Sequence, residues 1–312
     1  MAQLFLALAK SVRPRQWVKN ISLFAPVVFS GFLFEPGYFT QVLYAFLIFS
    51  TTASSLYIFN DIADISSDQR HPFKKKRPIA AGQLSPLVAF SFAIVLLLIS
   101  LVAAWSLSFF FFLTILVYLL LQLTYTNWLK QLPIFDVIII AAGFVLRVYA
   151  GAFVVNLHMN VWFLLTVISA ALFLAVGKRQ SERTLLRGVG IDLEGTRTSL
   201  THYSQRLLDI YTGMFANTTW LTYALFAFQQ QFVKTEGMLP TIFSKLPRTL
   251  ITQKWLMLTV PIVIYGVMRY LQLVYEKNEG ESPERVLLSD VPILTAFIVW
   301  GLMVIAIIYG IG

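Results

Sequence analysis

The 312-residue chain places three carboxylates within eight positions, Asp61, Asp64 and Asp68, in the run Asn60-Asp61-Ile62-Ala63-Asp64-Ile65-Ser66-Ser67-Asp68. At about 100° per residue on a continuous helix they share one face within about 60°, and Asn60, Asp64 and Asp68 form a second row at i, i+4, i+8. Like charges so arranged repel unless a cation sits among them. Hard cations such as Mg²⁺ take carboxylate oxygens and complete their shell with water and substrate phosphate. Arg70, Lys74, Lys75, Lys76 and Arg77 follow directly. An acidic face beside a basic run suits a metal-bound diphosphate, with Asp61, Asp64 and Asp68 on the metal, Asn60 in support, and Lys74 and Arg77 taking the remaining charge. The plainer alternative is a solvated helix end at a membrane surface.

Smaller groups could assist. In Arg13-Pro14-Arg15-Gln16-Trp17-Val18-Lys19-Asn20, Lys19 and one arginine, taken as Arg15, could hold a phosphate, although basic residues with Trp at an interface are also ordinary membrane anchors. Tyr125, Asn127 and Lys130 close an apolar run, and Lys130 is the sole basic residue of its loop, which favours substrate binding over topology. Lys178, Arg179 and Glu182 close another, with Lys178 and Glu182 one turn apart. Two basic residues cannot ligate a metal but can bind phosphate, or anchor the helix end. Arg147 lies deep in an apolar run, where charge is expensive and is functional or paired. Asp136 shares its face but sits about 16 Å away along a straight helix. Gly143, Arg147 and Gly151 recur every four residues, which lets another helix approach, so a structural tie and a ligand contact both stay open. Arg269 is expected to snorkel. His71 could touch phosphate or merely decorate its loop; His158 and His202 read as surface residues.

These groups need a scaffold, and composition names its kind. The chain is 58% hydrophobic and 12% charged, with a mean hydropathy of +0.74. That is about half the charge of a soluble domain, which excludes a typical soluble enzyme, a disordered chain and a DNA-binding module. No nucleic-acid partner is expected, and the net charge of +9 fits a membrane surface better. The absence of cysteine removes disulfides, thiol catalysis and cysteine-ligated metal. Apolar windows of roughly bilayer length recur near residues 20–34, 40–59, 86–105, 108–126, 137–156, 161–177, 210–230, 255–275 and 291–311. The pattern predicts an all-α, polytopic integral membrane protein of about nine transmembrane helices, the first short and kinked at Pro26. The segment before it is expected to be an interfacial helix that stays attached, since it lacks a cleavage signal.

Alternate loops divide the 24 Lys and Arg residues 18 to 4, with Arg147 and Arg269 inside spans. The positive-inside bias puts the amino terminus in the cytoplasm and, with an odd number of spans, Gly312 outside. No internal repeat or composition shift appears, so residues 1–312 are expected to form a single transmembrane domain. The long charged loops at 60–85 and 178–209 lie on the cytoplasmic side, where function should concentrate. The outer loop at 231–253 is expected to hold a short amphipathic segment.

The stretch NDIADISSDQRHPFKKKRPIAAG resembles the first aspartate-rich motif of the UbiA-type intramembrane prenyltransferases. More narrowly, RPRQWVKN, YTNWLK with Asp136 beyond it, GFVLRVYAGA, GKRQSE and ESPERVLLSD resemble the polyprenyl-phosphate (decaprenyl-phosphate) phosphoribosyltransferases of that superfamily. The likeness covers nearly the whole chain. It implies a UbiA-type helical bundle, a bacterial-type plasma membrane location and Mg²⁺-dependent transfer of 5-phosphoribose from phosphoribosyl pyrophosphate (PRPP) to a polyprenyl phosphate. Most of the superfamily carries a second acidic motif at the end of the sixth span, where this chain has Lys178-Arg179-Gln180-Ser181-Glu182. That departure disfavours a prenyl-diphosphate donor with an aromatic acceptor, the nearest alternative. A transporter would instead put paired ionisable residues near mid-bilayer. Oligomeric state is not legible from this pattern.

Overall fold

The computed structural model describes residues 2–70, 74–188, 198–230, 254–276 and 283–311, and among them every regular element is helical. α1 (Ala2–Val12) leads into a 3₁₀ segment (Pro14–Phe24) and the short α2 (Ala25–Phe29). α3 (Tyr38–Ala63), α4 (Ile65–Arg70), α5 (Pro86–Leu107), α6 (Phe109–Asn127) and α7 (Phe135–Val154) follow. α8 (Val161–Gly188), α9 (Gln205–Gln229), α10 (Val260–Glu276), α11 (Pro283–Ser289) and α12 (Val291–Ala306) complete the order. Side-chain caps set several starts. Ser85 accepts from the Val88 amide ahead of Pro86, Ser204 from Leu207, and Asp290 from Ile293, each satisfying an otherwise orphaned backbone donor.

Seven helices among the described residues are long and apolar enough to cross a membrane: Tyr38–Ala63, Pro86–Leu107, Phe109–Asn127, Phe135–Val154, Val161–Leu185, Trp255–Glu276 and Val291–Gly310. Each coincides with a span read from the sequence. The segment expected at 20–34 is the 3₁₀ segment and α2, too short and irregular for that criterion. The one expected at 210–230 lies in α9, a 25-residue helix rich in Thr and Gln. Its Thr212, Thr219 and Thr222 hydroxyls donate to the carbonyls of Leu208, Phe215 and Thr218, so these three hydroxyls each find an acceptor within the helix.

The chain divides into two compact units. The first comprises Met1–Val27, Leu33–Ile139 and Leu146–Leu157. Here α5 packs along α3 and α6 along α5, and Ala7 of α1 joins Ile58, Ile79, Leu84, Ala89 and Ala93 in an apolar core. Leu4, Phe5 and Leu6 of α1 stay exposed. Pro14 bars the right-handed helical conformation at the residue before it, and Arg13 adopts φ 54°, ψ 61°, a left-handed conformation that costs a non-glycine residue about 1–2 kcal/mol. α1 therefore ends there and the chain turns into the 3₁₀ segment. Trp17 Nε1 donates to Ser54 Oγ at 3.0 Å, and Ser54 Oγ to the Val12 carbonyl at 2.9 Å. Gly151 of α7 meets the 3₁₀ segment backbone to backbone, since a Cβ at that position would lie 1.9 Å from the Leu23 carbonyl oxygen.

The second unit comprises Val28–Phe32, Ile140–Val145 and His158–Gly312. α8 and α9 pack along one another. Phe173, Ala216, Tyr270, Leu273, Val274, Val286 and Ile293 form its core. Phe29 meets the rings of Phe163, Phe226 and Trp300 at 5.3, 5.2 and 6.0 Å. Gly177 admits Tyr270, whose hydroxyl would lie 2.8 Å from a Cβ. Arg269, expected to snorkel, reaches the carboxylate that caps α12. Its Nε and Nη2 hold both carboxylate oxygens of Asp290 at 3.2 and 2.8 Å, because the α12 cap lies within its reach. His158 and His202 are exposed, while His71 and the segment at 231–253 fall outside the described residues.

Candidate active site

The acidic run does not form one straight helix. α3 ends at Ala63; Asp64 caps it with φ −99°, ψ 12°, its amide donating to the Asn60 carbonyl, and α4 restarts at Ile65. The break turns the three carboxylates different ways. Asp61 and Asp68, 2% and 3% exposed, converge on Arg77, whose Nη1 lies 3.0 Å from Asp61 Oδ1 and 2.5 Å from Asp68 Oδ2. Arg13 Nη2 also holds Asp61 Oδ1, and its guanidinium stacks over the Tyr57 ring at 5.4 Å. Asp64 is half-buried and accepts from Lys130 Nζ at 2.9 Å. Burial pushes the Asp68 carboxyl upward from its ordinary value, and the nearby Arg77 charge and hydrogen bond pull it only part of the way back.

Among the described residues no three acidic or histidine side chains converge as a ready metal-ligand set. The donor chemistry nonetheless fits a hard divalent ion. The carboxylate oxygens of Asp61 and Asp68 are buried anions that already gather positive charge, with that of Asp64 adjacent in the chain.

The other residues of this unit fall around or away from this cluster. Lys74 is half-buried and adds positive potential at Asp68. Asn60 is half-buried in the last turn of α3. Lys19 donates to Gln16 Oε1 at 2.6 Å, and Arg15 is exposed. Tyr125 is half-buried and Asn127 exposed at the end of α6. Arg147 is 5% exposed. Its Nε donates to Asn20 Oδ1 and its Nη2 to the Tyr118 hydroxyl, each at 2.8 Å, while Asn20 Nδ2 donates to Ser50 Oγ at 2.9 Å. It thus ties the 3₁₀ segment, α3, α6 and α7 together. Asp136 is fully buried at the start of α7.

In the second unit, the end of α8 carries Lys178, Arg179 and Glu182. Arg179 is fully buried and its Nη1 donates to Glu182, three residues on. Lys178 is half-buried. Two contacts, one in each unit, were not singled out from sequence. Arg13, rather than Arg15, reaches the acidic cluster, and the signal was available in Pro14, which forces residue 13 out of the helix. Asp209 is joined to Gln180 at 3.0 Å, a tertiary contact that spacing does not announce.

The comparison that decides the family is a match over residues 23–298 to the model of the UbiA prenyltransferase family. The chain belongs to the UbiA prenyltransferase family. With seven apolar helices of membrane-crossing length among the described residues, this UbiA protein is an integral membrane protein. It is 33% identical over 297 residues to a decaprenyl-phosphate phosphoribosyltransferase of Mycolicibacterium smegmatis, covering 94% of this chain and 89% of that one. It is 35% identical over 233 residues to a protein of the same name from Mycobacterium tuberculosis, covering 73% and 76%. Its fold matches a UbiA homolog from Archaeoglobus fulgidus, solved with GPP and Mg²⁺, with a TM-score of 0.66 at 20% identity over 96% of this chain and 99% of that chain.

Proposed function

We propose that this UbiA protein transfers 5-phosphoribose from PRPP to a polyprenyl phosphate and releases diphosphate. The observation that carries the reading is the name shared by relatives at 33% and 35% identity, joined to an acidic cluster interleaved with basic side chains.

Asp61, Asp64 and Asp68 would hold Mg²⁺. When bound, the ion supplies charge stabilisation and orientation for the leaving diphosphate. Arg13, Arg77, Lys74 and Lys130 surround the acids and supply further positive charge to phosphate oxygens, with Asn60, Tyr125 and Asn127 as neutral hydrogen-bonding groups. Lys19 and Arg15 bind the phosphate of the lipid. Of the second unit, considered by itself, Lys178, Arg179 and Glu182 are proposed to bind phosphate, Lys178 through its charge and Arg179 together with Glu182. Arg147 acts here through Asn20, holding the 3₁₀ segment that carries Lys19. The bond between ribose C1 and the diphosphate oxygen breaks as an oxygen of the lipid phosphate attacks the opposite face, inverting C1. The acceptor is already ionised at neutral pH, so no dedicated general base is needed. The membrane is of the bacterial plasma type, with the amino terminus and site on the cytoplasmic side and the carboxy terminus outside.

The test is incubation of purified protein with labelled PRPP and a set of polyprenyl phosphates. Label should enter the lipid fraction. Chelation should abolish transfer, and Asp61→Asn or Asp64→Asn should lower it by orders of magnitude in folded protein. Coupling of a prenyl diphosphate to a phenolic acid, with PRPP inert, would overturn the reading; full activity in excess EDTA would remove the metal from it.

A further inference from the structure

We propose that α1 docks on an anionic lipid surface, the leaflet at the Asp61 end of α3, with Phe5 and Leu6 in the lipid and Lys10 among the phospholipid phosphates. The inference concerns the first unit alone and stands apart from the proposed reaction. α1 is two-sided. Ala7 and Ser11, one turn apart, are buried, Ala7 in a core with Ile58 and Ser11 Oγ donating to the Ala7 carbonyl at 2.9 Å. Phe5 and Ala9 lie about 160° around the helix from Ala7 and are exposed, as is Leu6 beside them. Phe5 is 72% exposed and Leu6 57%. The face turned away from the protein is thus apolar, the reverse of what a helix bathed in water shows.

What covers that face follows from where α1 sits. It packs on α3, and the core that Ala7 shares with Ile58 is flanked by Phe59 and Ile62, so its neighbours are the last turns of α3. That helix has 26 residues, about 39 Å at a rise of about 1.5 Å each, against a hydrocarbon layer about 30 Å thick. The excess falls at its polar end, where Asn60 and Asp61 lie, and the turns beside α1 stand at headgroup level. An apolar helix face at that depth meets the upper acyl chains.

Charge selects the lipid. Residues 1–34 contain Lys10, Arg13, Arg15 and Lys19 and no acidic residue. Arg13 is turned to Asp61 and Lys19 to Gln16, whereas Lys10, in the last turn of α1, and Arg15 are exposed. A basic side chain beside a membrane-bound helix face favours acidic phospholipid by about fivefold. The leaflet therefore grips the helix whose end delivers Arg13 to Asp61.

The chain has no cysteine, so Ala9→Cys in the full-length protein gives a single labelling site on the exposed face. A fluorophore there is read in nanodiscs of phosphatidylcholine and phosphatidylglycerol, with a nitroxide near the headgroup end of the acyl chain of one lipid or the other. The label should be quenched by nitroxide lipid and shielded from aqueous acrylamide. Phosphatidylglycerol should be preferred at the label by about fivefold or more. Lys10→Gln should lower that preference about fivefold, and Lys10→Arg should keep it. If Ala9→Cys does not fold, Phe5→Cys carries the label on the same face. Quenching by acrylamide and not by lipid would mean a water-facing helix, and shielding from both would mean a protein cover such as a second copy; either overturns the proposal. Equal preference for the two lipids, or a preference indifferent to Lys10→Gln, overturns the anionic docking.

Discussion

Arg77 is the side chain on which the acidic cluster turns, and its removal has a calculable effect. Its Nη1 bridges Asp61 and Asp68 at 3.0 and 2.5 Å, and both carboxylates are nearly inaccessible to water. Arg77→Gln keeps much of the side-chain volume but removes the charge. Asp61 retains Arg13, whereas Asp68 loses the one side chain shown to pair with it. Taking one partner from a buried ion pair costs about 3–5 kcal/mol. The Arg77 side chain is itself 24% exposed, so water recovers part of that, and about 3 kcal/mol is expected. In a chain of this size that corresponds to a drop of very roughly 5–10 °C in Tm, read by tryptophan fluorescence in detergent. Magnesium should raise the melting temperature of Arg77→Gln more than that of wild type, because the variant has an uncompensated carboxylate to offer. Melting of the variant at the wild-type temperature, or equal stabilisation of both by magnesium, would refute the argument.

Three further outcomes follow from other contacts. Gly151→Ala should destabilise by at least about 1–3 kcal/mol, because its Cβ would sit 1.9 Å from the Leu23 carbonyl oxygen, while Gly213→Ala, with nothing within 4 Å of the new methyl, should be neutral or mildly stabilising; equal melting of the two variants would refute the packing argument. Arg269→Ala should lower thermal stability by stranding Asp290 yet leave kcat/KM for PRPP unchanged, and a kinetic defect without a stability loss would contradict a structural pair. A tag at Met1 should be protected in right-side-out vesicles and one after Gly312 accessible; both on one side would mean an even number of spans.

The seven long helices and the acidic run were legible because both are local signals, written in consecutive apolar residues and in charge spacing. The break at Asp64 was not. No glycine or proline marks it, and Ile62 to Ser66 is compatible with a continuing helix, so the shared-face arithmetic applied a straight axis where the chain turns. The first expected span does not show as a long apolar helix for a related reason, since Pro14 and Pro26 bracket a stretch that winds largely as a 3₁₀ segment. Partners distant in sequence were out of reach altogether. Arg147 meets Asn20 across 127 positions and Arg269 meets Asp290 across 21, choices made by the packing of helices rather than by neighbours along the chain. Arg13 shows the intermediate case, in which Pro14 identified a departure from the helix but not where the guanidinium would land.

Asp61, Asp64 and Asp68 are matched by Arg13, Arg77 and Lys130, so the cluster carries its own counterions. Such a cluster can assemble as the chain folds, without waiting for an ion from solution as bare ligand sets must. Any anion that draws one of the basic side chains to itself unmasks a carboxylate, and any cation that captures a carboxylate frees a basic side chain. By linkage, the two affinities rise together. Under the proposed function the site therefore works as an ion exchanger that loads its positive and negative guests as a pair, either guest alone being held more weakly.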